Sequence, residues 1–233
     1  MKILLTGGTR GIGRAIFDEL KSAHDVYVTA RNEEALKEMG AKGYIACDLS
    51  KNIEVLCDYI KDNEFDIIIN NAGEYIYGDI ETMTDSQIQS IYNTNLISPV
   101  KIISSAAAHM KNQKWGRIVN IGSISGVMGE AYASLYSSTK SGLIGLTKAL
   151  ALELAEYNIT INTINPGWVN TEMGNSSAEE GIFTKDEIVE CIPQKRFVEP
   201  SEVAALVKYL ISEDAKGITG QSINLCAGLS VGY

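Results

Sequence analysis

Short apolar runs alternate with amphipathic segments along the first 70 residues. Runs such as "KILLT" from Lys2 and "DVYVTA" from Asp25 predict strands, and "GRAIFDELKSA" between them has apolar positions at helical spacing. "KGYIACD" and "FDIIIN" continue the series as a third and a fourth strand. The runs lack strict apolar–polar alternation, as expected for strands covered by helices on both faces. This repetition predicts a doubly wound α/β domain around a parallel sheet.

The second half of the chain continues the same pattern. We predict one long helix within residues 84–112, bent near Pro99, a fifth strand "GRIVNIG", a helix over about 134–156, and a sixth strand "ITINTIN". A less regular segment lies between Pro166 and Pro200, before a last helix "PSEVAALVKYLIS" and a last strand "QSINLC". Neither a linker nor a repeat interrupts the pattern, so we expect residues 1–233 to form one domain.

Charge and composition exclude several classes of protein. The net charge of −9 opposes binding to nucleic acid or to anionic membranes. Four cysteines without C-x-x-C spacing and only two histidines argue against a zinc site, so we expect free buried thiols and no metal. No apolar run reaches the roughly 18 residues of a membrane span. The N-terminal run "MKILLTGG" reaches glycine too early for a secretory signal. These features predict a cytoplasmic protein.

A glycine-rich turn, "TGGTRGIG", lies between the first strand and the first helix. A dinucleotide-binding turn belongs at this place, because glycines let the backbone approach a pyrophosphate and the helix N-terminus attracts its charge. The spacing of Gly7, Gly11 and Gly13 is G-x-x-x-G-x-G. A turn of this kind without a ligand is the alternative.

The end of the second strand indicates which dinucleotide binds. Ala30 stands where proteins that bind NAD usually carry a carboxylate, and Arg31 follows it. Together with Arg10 in the glycine turn, Arg31 could grip the 2′-phosphate of NADP(H), which we therefore favour over NAD(H). The alternative is that both arginines are solvated surface residues neutralised by Glu33 and Glu34.

Tyr136 and Lys140 stand four positions apart and would share one face of a helix. Taken alone, the pair is typical of a solvated helix. However, it follows "TGGTRGIG", "NNAG" from Asn70 and Ser123, and precedes "NPGWVNT" from Asn165. In this order the motifs resemble the short-chain dehydrogenase/reductase family over essentially the whole chain. "YSSTKSGLIGLTKALALELA" and "ITGQSINL" resemble its 3-oxoacyl-acyl-carrier-protein reductases most.

The resemblance implies a ketone reductase with four catalytic residues. Tyr136 would donate the proton, and Lys140 would lower the pKa of Tyr136 and bind the nicotinamide ribose. Ser123 would donate a hydrogen bond to the carbonyl oxygen. Asn95 matches the family position that holds a water in a proton relay; on local pattern it could instead mark a helix irregularity.

The resemblance also implies a fold and a set of cofactor contacts. The fold would be three layers with a seven-stranded sheet in the order 3-2-1-4-5-6-7, and residues 173–195 would form a substrate lid. By position, the contacts with NADP(H) would be Gly7, Thr9, Arg10, Gly11, Ile12, Gly13, Arg31, Asp48, Leu49, Asn71, Ala72, Gly73, Tyr136, Lys140, Pro166, Gly167, Val169 and Thr171.

Two substrates remain open. A 3-oxoacyl-acyl-carrier-protein reductase of fatty acid biosynthesis would need a basic patch beside the site for its acidic carrier protein. Lys114 and Arg117 cover one of the two regions where the family carries arginines, whereas Glu156 and Tyr157 occupy the other. The net charge also opposes an acidic partner. The alternative is a reductase of a free ketone such as a sugar, a steroid or a secondary metabolite. A cofactor-binding regulator without catalysis is a third possibility, which the presence of all the catalytic residues opposes.

Two further expectations follow from the resemblance. The chain would form a homotetramer or homodimer through its long helices, which carry Ile102, Ile103, Leu143, Leu146 and Leu150. Near the C-terminus, Cys226 and Ala227 replace the acidic-Gly-Gly ending that is usual in the family, so the local packing there should differ.

Overall fold

A parallel sheet forms the centre of the molecule. The computed structural model describes residues 1–175 and 184–231, and its sheet has seven strands in the order β3-β2-β1-β4-β5-β6-β7, as predicted. All neighbouring strands are parallel. The strands are β1 (Lys2–Thr6), β2 (Asp25–Ala30), β3 (Gly43–Ala46), β4 (Ile67–Asn70), β5 (Gly116–Ile121), β6 (Ile159–Pro166) and β7 (Ser222–Leu225).

Helices cover both faces of this sheet. They are α1 (Gly11–Leu20), α2 (Glu33–Glu38), α3 (Ile53–Asn63), α4 (Asp85–Tyr92), α5 (Ser98–Gln113), α6 (Ser125–Met128), α7 (Ser134–Leu154), α8 (Lys185–Cys191) and α9 (Pro200–Leu210). Two apolar cores result, one between the sheet and α1, α2 and α9, the other between the sheet and α3, α5 and α7. Among the described helices, none is both long and apolar enough to cross a membrane.

The long helix predicted within residues 84–112 is interrupted earlier than expected. It consists of α4, a π-helical turn over Asn93–Ile97, and α5. Pro99 lies in the first turn of α5, two residues after this π-helical turn. The π-helical turn buries Asn95. The irregularity therefore comes from the turn that carries a predicted catalytic residue.

Part of the predicted lid is an ordinary helix. α8 begins with a capping box in which Thr184 and Glu187 each accept from the backbone of the other. Ile188 and Ile192 are buried in the core against the sheet. Residues 176–183 of the predicted lid lie outside the described residues, so the lid itself stays a prediction.

The apolar residues predicted to pair subunits lie mostly inside the chain's own core. Ile102, Ile103 and Leu143 are at most 3% exposed. Leu146 and Leu150 are only partly buried against the same core. Apolar surface on these helices comes from other positions, chiefly Val100 at 39% and Leu152 at 86% exposure.

The cysteines differ slightly from expectation. All four are free, and three are buried, but Cys191 is exposed. At the C-terminus, Ala227 has a backbone φ of +52°, in the left-handed region that favours glycine. Ala227 therefore has a strained backbone at a buried position.

A chain of buried polar side chains crosses the middle of the sheet. Asn70, Asn120 and Thr163 are aligned on β4, β5 and β6. Asn70 Nδ2 donates to Asn120 Oδ1 at 2.9 Å, and Asn120 Nδ2 donates to Thr147 Oγ1 of α7 at 3.0 Å. The hydroxyls of Thr147 and Thr163 lie 2.7 Å apart. These bonds fix α7, the helix of Tyr136 and Lys140, against the strands.

We predict that Thr147→Val destabilises the protein by about 1–3 kcal/mol, because it leaves the buried amide of Asn120 without an acceptor. Thr160→Val is the matched control: Thr160 is 4% exposed, and its hydroxyl makes no hydrogen bond within the described part of the chain. Loss of that hydroxyl should be neutral or stabilising. Urea unfolding of both variants measures the difference, and equal losses would contradict a role for the buried chain.

Candidate active site

The candidate site lies at the carboxyl edge of the sheet, where β1 and β4 are neighbours although β2 and β3 stand between them in sequence. The crossovers on the two sides of this point leave in opposite directions, which opens a crevice at the strand ends. The crevice is a cleft of about 1210 Å³. This volume is large enough for a dinucleotide and a small substrate together.

The glycine-rich turn forms one end of the cleft. A Cβ on Gly13 would come within 2.1 Å of the Gly7 carbonyl oxygen, so only glycine lets α1 begin this close to the turn. Gly11 has a φ of +54°. The side chain of the N-cap residue, Arg10, makes no capping hydrogen bond, and the first turn of α1 carries no acidic residue. The end of the helix is thus suited to an anion such as a pyrophosphate.

Asn71 holds this turn in place. Its Nδ2 donates to the carbonyl oxygens of Thr6 and Gly7, at 2.9 and 3.0 Å. Thr6 Oγ1 in turn accepts from the backbone N–H groups of Asn71 and Ala72. The side chain of Asn71, predicted to touch the cofactor, is therefore already used to join the turn to the end of β4.

The two arginines predicted to select NADP(H) have different surroundings. Arg10 forms an exposed ion pair with Glu172, at 2.7 Å. Arg31 is exposed at the cleft, and its charge helps to lower the pKa of Asp48, although the hydrogen bond from Ser50 is the larger cause. Glu33, considered as a neutralising partner, pairs with Lys37 on α2 instead. The end of β2 thus offers a guanidinium to a 2′-phosphate.

Nearly all the predicted site residues line this one cleft. The residues concerned are Gly7, Thr9, Arg10, Gly11, Ile12, Gly13, Arg31, Asp48, Leu49, Asn71, Ala72, Gly73, Ser123, Tyr136, Lys140, Pro166, Gly167, Val169 and Thr171. Asn95 is the exception, since it is 1% exposed and lies behind the cleft wall. In the described part of the chain, no three His, Cys, Asp or Glu side chains gather as a metal site.

Ser123, Tyr136 and Lys140 meet because α6 packs closely on α7. A Cβ on Gly126 would lie 2.7 Å from the backbone of Lys140, so glycine lets the helices touch. Ser123 lies two residues after the end of β5 and hydrogen-bonds the phenol of Tyr136. Lys140 is 3% exposed, and its Nζ donates to the carbonyl oxygen of Ile121 at 2.8 Å.

Burial is the main influence on the protonation of Tyr136. Burial raises the pKa of Tyr136 to about 12, the bond from Ser123 lowers it somewhat, and the charge of Glu130 raises it. The ammonium of Lys140, held by the carbonyl oxygen of Ile121, lies 5.5 Å from the centroid of the Tyr136 ring, and its lowering of the pKa of Tyr136 stays a prediction. Burial also lowers the pKa of Lys140 to about 8. At neutral pH the phenol therefore carries the proton that a donor needs.

Asn95 acts on the cleft through the backbone of Glu74. Its Nδ2 donates to the carbonyl oxygen of Glu74, and its Oδ1 accepts from the N–H of the same residue, both at 2.8 Å. It also donates to Thr139 Oγ1 on α7. The loop after β4 is thereby tied to the helix of the tyrosine. This positioning role differs from the predicted water relay, which stays a prediction.

A hydrogen-bonded chain around Glu130 was not predicted. Ser125 Oγ donates to Glu130 at 2.6 Å, and Tyr75 donates to the other carboxylate oxygen at 2.7 Å. Because a carboxylate only accepts, the proton of Ser125 is committed, and Ser125 can only accept from Ser123 Oγ, 3.2 Å away. Glu130 thus orients Ser125 so that the single proton of Ser123 points to Ser125. No sequence motif indicates this, since the contact depends on how the loops fold.

The basic residues predicted to meet a carrier protein are far from the cleft. Arg117 is at the beginning of β5, at the opposite edge of the sheet from Ser123, and Lys114 precedes it. The Arg117 side chain is fully buried, stacks on Trp115 and pairs with Glu213 at 3.1 Å. It is a structural residue, and the expectation of a basic patch formed by these two residues beside the site is wrong.

Comparison with known proteins agrees with this architecture. The profile of the short chain dehydrogenase family matches residues 1–181. Among curated relatives, the putative ketoacyl reductase 1 of the granaticin polyketide synthase from Streptomyces violaceoruber is 37% identical, over 97% of this chain and 92% of its own. The 3-oxoacyl-acyl-carrier-protein reductase MabA of Mycobacterium tuberculosis is 33% identical, over 99% and 93%.

Solved structures show the same fold. A variant of the actinorhodin polyketide ketoreductase with NADPH superposes with a TM-score of 0.90 at 36% identity, covering 99% of this chain and 97% of the other. A putative gluconate dehydrogenase from Agrobacterium tumefaciens gives 0.92 at 26% identity, covering 100% and 96%. From the family profile, the relatives and the site geometry together, the chain belongs to the short-chain dehydrogenase/reductase family.

Proposed function

We propose that the protein reduces the 3-oxo group of an acyl thioester to a secondary alcohol with NADPH. The observation that carries the proposal is the meeting of Ser123, Tyr136 and Lys140 in a cleft whose other end is an anion-binding glycine turn. Relatives named as ketoacyl and 3-oxoacyl reductases support the substrate class. The similar structure of the actinorhodin polyketide ketoreductase with NADPH supports the choice of cofactor. The exposed guanidinium of Arg31 at the cleft supports it as well.

The residues of the chain divide the work of the reaction. Bound NADPH would supply the hydride. The phenol of Tyr136, protonated at neutral pH, gives its proton to the carbonyl oxygen. Ser123 turns its proton from Ser125 to the carbonyl oxygen and stabilises the negative charge that develops there. The cation of Lys140, held by Ile121, favours the phenolate that remains.

A free ketone is the second candidate substrate. The absence of Arg117 and Lys114 from the site removes the basic residues expected for a carrier protein. Glu74 and Glu130 line the cleft, and their charge opposes an acidic partner. A regulator without catalysis is disfavoured by the assembled donor groups. A place in fatty acid biosynthesis, a cytoplasmic location and a homotetramer or homodimer stay predictions.

We predict that Tyr136→Phe lowers ketone reduction by about 10²–10⁴-fold, because it removes only the proton donor. NADPH affinity, measured by fluorescence titration, should stay near that of the unaltered protein. Tyr92→Phe is the control: its hydroxyl bonds Ser138 on the same helix as Tyr136 but outside the cleft. Near-normal turnover of the Tyr136→Phe variant would contradict the role of Tyr136 as proton donor.

Arg31→Ala should weaken NADPH binding by about 10–100-fold and leave NADH binding nearly unchanged, because the lost charge-assisted bonds go to the 2′-phosphate. Arg14→Ala is the control, since Arg14 pairs with Asp18 on α1 and does not line the cleft. Titration of each variant with both nucleotides gives the comparison. An equal loss for NADPH and NADH would reverse the assignment of the cofactor.

Oxidation of NADPH measured with one 3-oxoacyl group in several forms tests the substrate. Acetoacetyl carrier protein, acetoacetyl coenzyme A and a panel of free ketones form the set. We expect reduction of the thioesters, with little gain from the carrier protein, because the acidic cleft offers it no attraction. Turnover of the free ketones alone would replace the proposal with the second candidate.

A further inference from the structure

Three tyrosines form a continuous surface next to the proton donor. This tyrosine wall consists of Tyr75, Tyr77 and Tyr132, all of which line the cleft. The Tyr75 ring meets Tyr136 edge-on with centroids 5.0 Å apart and stacks on Tyr77 at 6.5 Å. Tyr77 lies 5.6 Å from Tyr132. Aromatic surface thus extends from the reacting group toward the cleft mouth.

The wall is held in place by polar contacts at its two ends. The Tyr75 hydroxyl donates to Glu130 at 2.7 Å, so its ring cannot turn freely. At the other end, the carbonyl oxygen of Tyr132 accepts from the N–H of Gly78 at 2.8 Å. The loop after β4 and the loop between α6 and α7 are thereby joined through the wall. Rings fixed before a ligand arrives lose little freedom when it binds.

The backbone of Tyr132 is strained in a way that stability does not require. Its φ is +63°, a region that bulky side chains rarely adopt. The residue is nevertheless 43% exposed, so burial of its ring is only partial. Strained residues of this kind cluster at ligand sites, where the surroundings hold a side chain in a required place. Here the left-handed backbone of Tyr132 places its ring beside Tyr77 and the cleft.

We propose that the tyrosine wall is the subsite for the acyl body of the substrate, and that it selects a planar aromatic or conjugated group over a saturated chain. This inference rests on the proposed reduction of a 3-oxoacyl thioester. Faces and edges of tyrosine rings attract other rings in offset and edge-on arrangements. A saturated chain gains only non-directional burial and must be ordered along the wall. Met128, 47% exposed at the cleft, adds a sulfur that suits aromatic contact.

Two thioesters that differ only in the acyl body test the proposal. We would compare the N-acetylcysteamine thioesters of 3-oxo-3-phenylpropanoic acid and 3-oxohexanoic acid by kcat/KM. The two ketones differ in intrinsic reactivity, so the quantity of interest is how a variant changes their ratio. Tyr77→Leu and Tyr132→Asn should each lower the phenyl-to-hexanoyl ratio by about 3–10-fold. Asparagine tolerates the left-handed backbone, which keeps the second variant folded.

Tyr209→Leu is the matched control, because Tyr209 is 47% exposed on α9 and does not line the cleft. Its ratio should equal that of the unaltered protein. If the unaltered protein reduces neither thioester, the proposed function fails. Reduction of the hexanoyl thioester alone, or a ratio that Tyr77→Leu and Tyr132→Asn leave unchanged, overturns the inference about the tyrosine wall while leaving the proposed function intact.

Discussion

The position of β4 beside β1 is the constraint on which the site depends. Parallel strands bring their carboxyl ends to one edge of the sheet. The connections that follow β1 and β4 leave in opposite directions, which opens a crevice between the two strand ends. The glycine turn after β1, Asn71 after β4 and Ser123 after β5 thus reach one cleft from distant parts of the sequence. The side chain of Asn71 then joins the glycine turn to the end of β4. With another strand order, the same motifs would not meet.

Buried hydrogen bonds hold α7 against this edge of the sheet. The helix carries two polar functional groups, the phenol of Tyr136 and the ammonium of Lys140. Lys140 is buried at the cost of desolvating an ammonium, which the carbonyl oxygen of Ile121 partly offsets. Thr147, farther along the helix, anchors it to β5 and β6 through Asn120 and Thr163. Asn95 ties it to the loop after β4 through Thr139. The helix can therefore place a phenol and an ammonium with little freedom, as proton transfer requires.

The hydrophobic pattern predicted the strands well, because buried parallel strands leave runs of Val, Ile and Leu that little else in a soluble chain produces. The strand order came from the family resemblance and is confirmed. The prediction from this pattern failed where the contacts of one side chain, and not the spacing of apolar residues, determine the local structure. Residues 84–112 read as one helix, yet a π-helical turn buries Asn95 within it. Arg117 looked like a surface cation, but only the folded chain shows Trp115 and Glu213 enclosing it at the far edge of the sheet. Composition carries no information about which edge a residue occupies.

The sequence by itself determined the family, the glycine turn and the identities of Ser123, Tyr136 and Lys140, since these depend on short motifs at fixed spacing. Only the tertiary structure decided how the groups are charged and what faces the substrate. The pKa of Tyr136 rises because the folded chain buries the phenol and places the charge of Glu130 near it. Tyr75, Tyr77 and Tyr132 form a wall only because two loops, 54 residues apart at the Gly78–Tyr132 hydrogen bond, fold against each other. Contacts between segments this distant are set by packing, which no local pattern encodes.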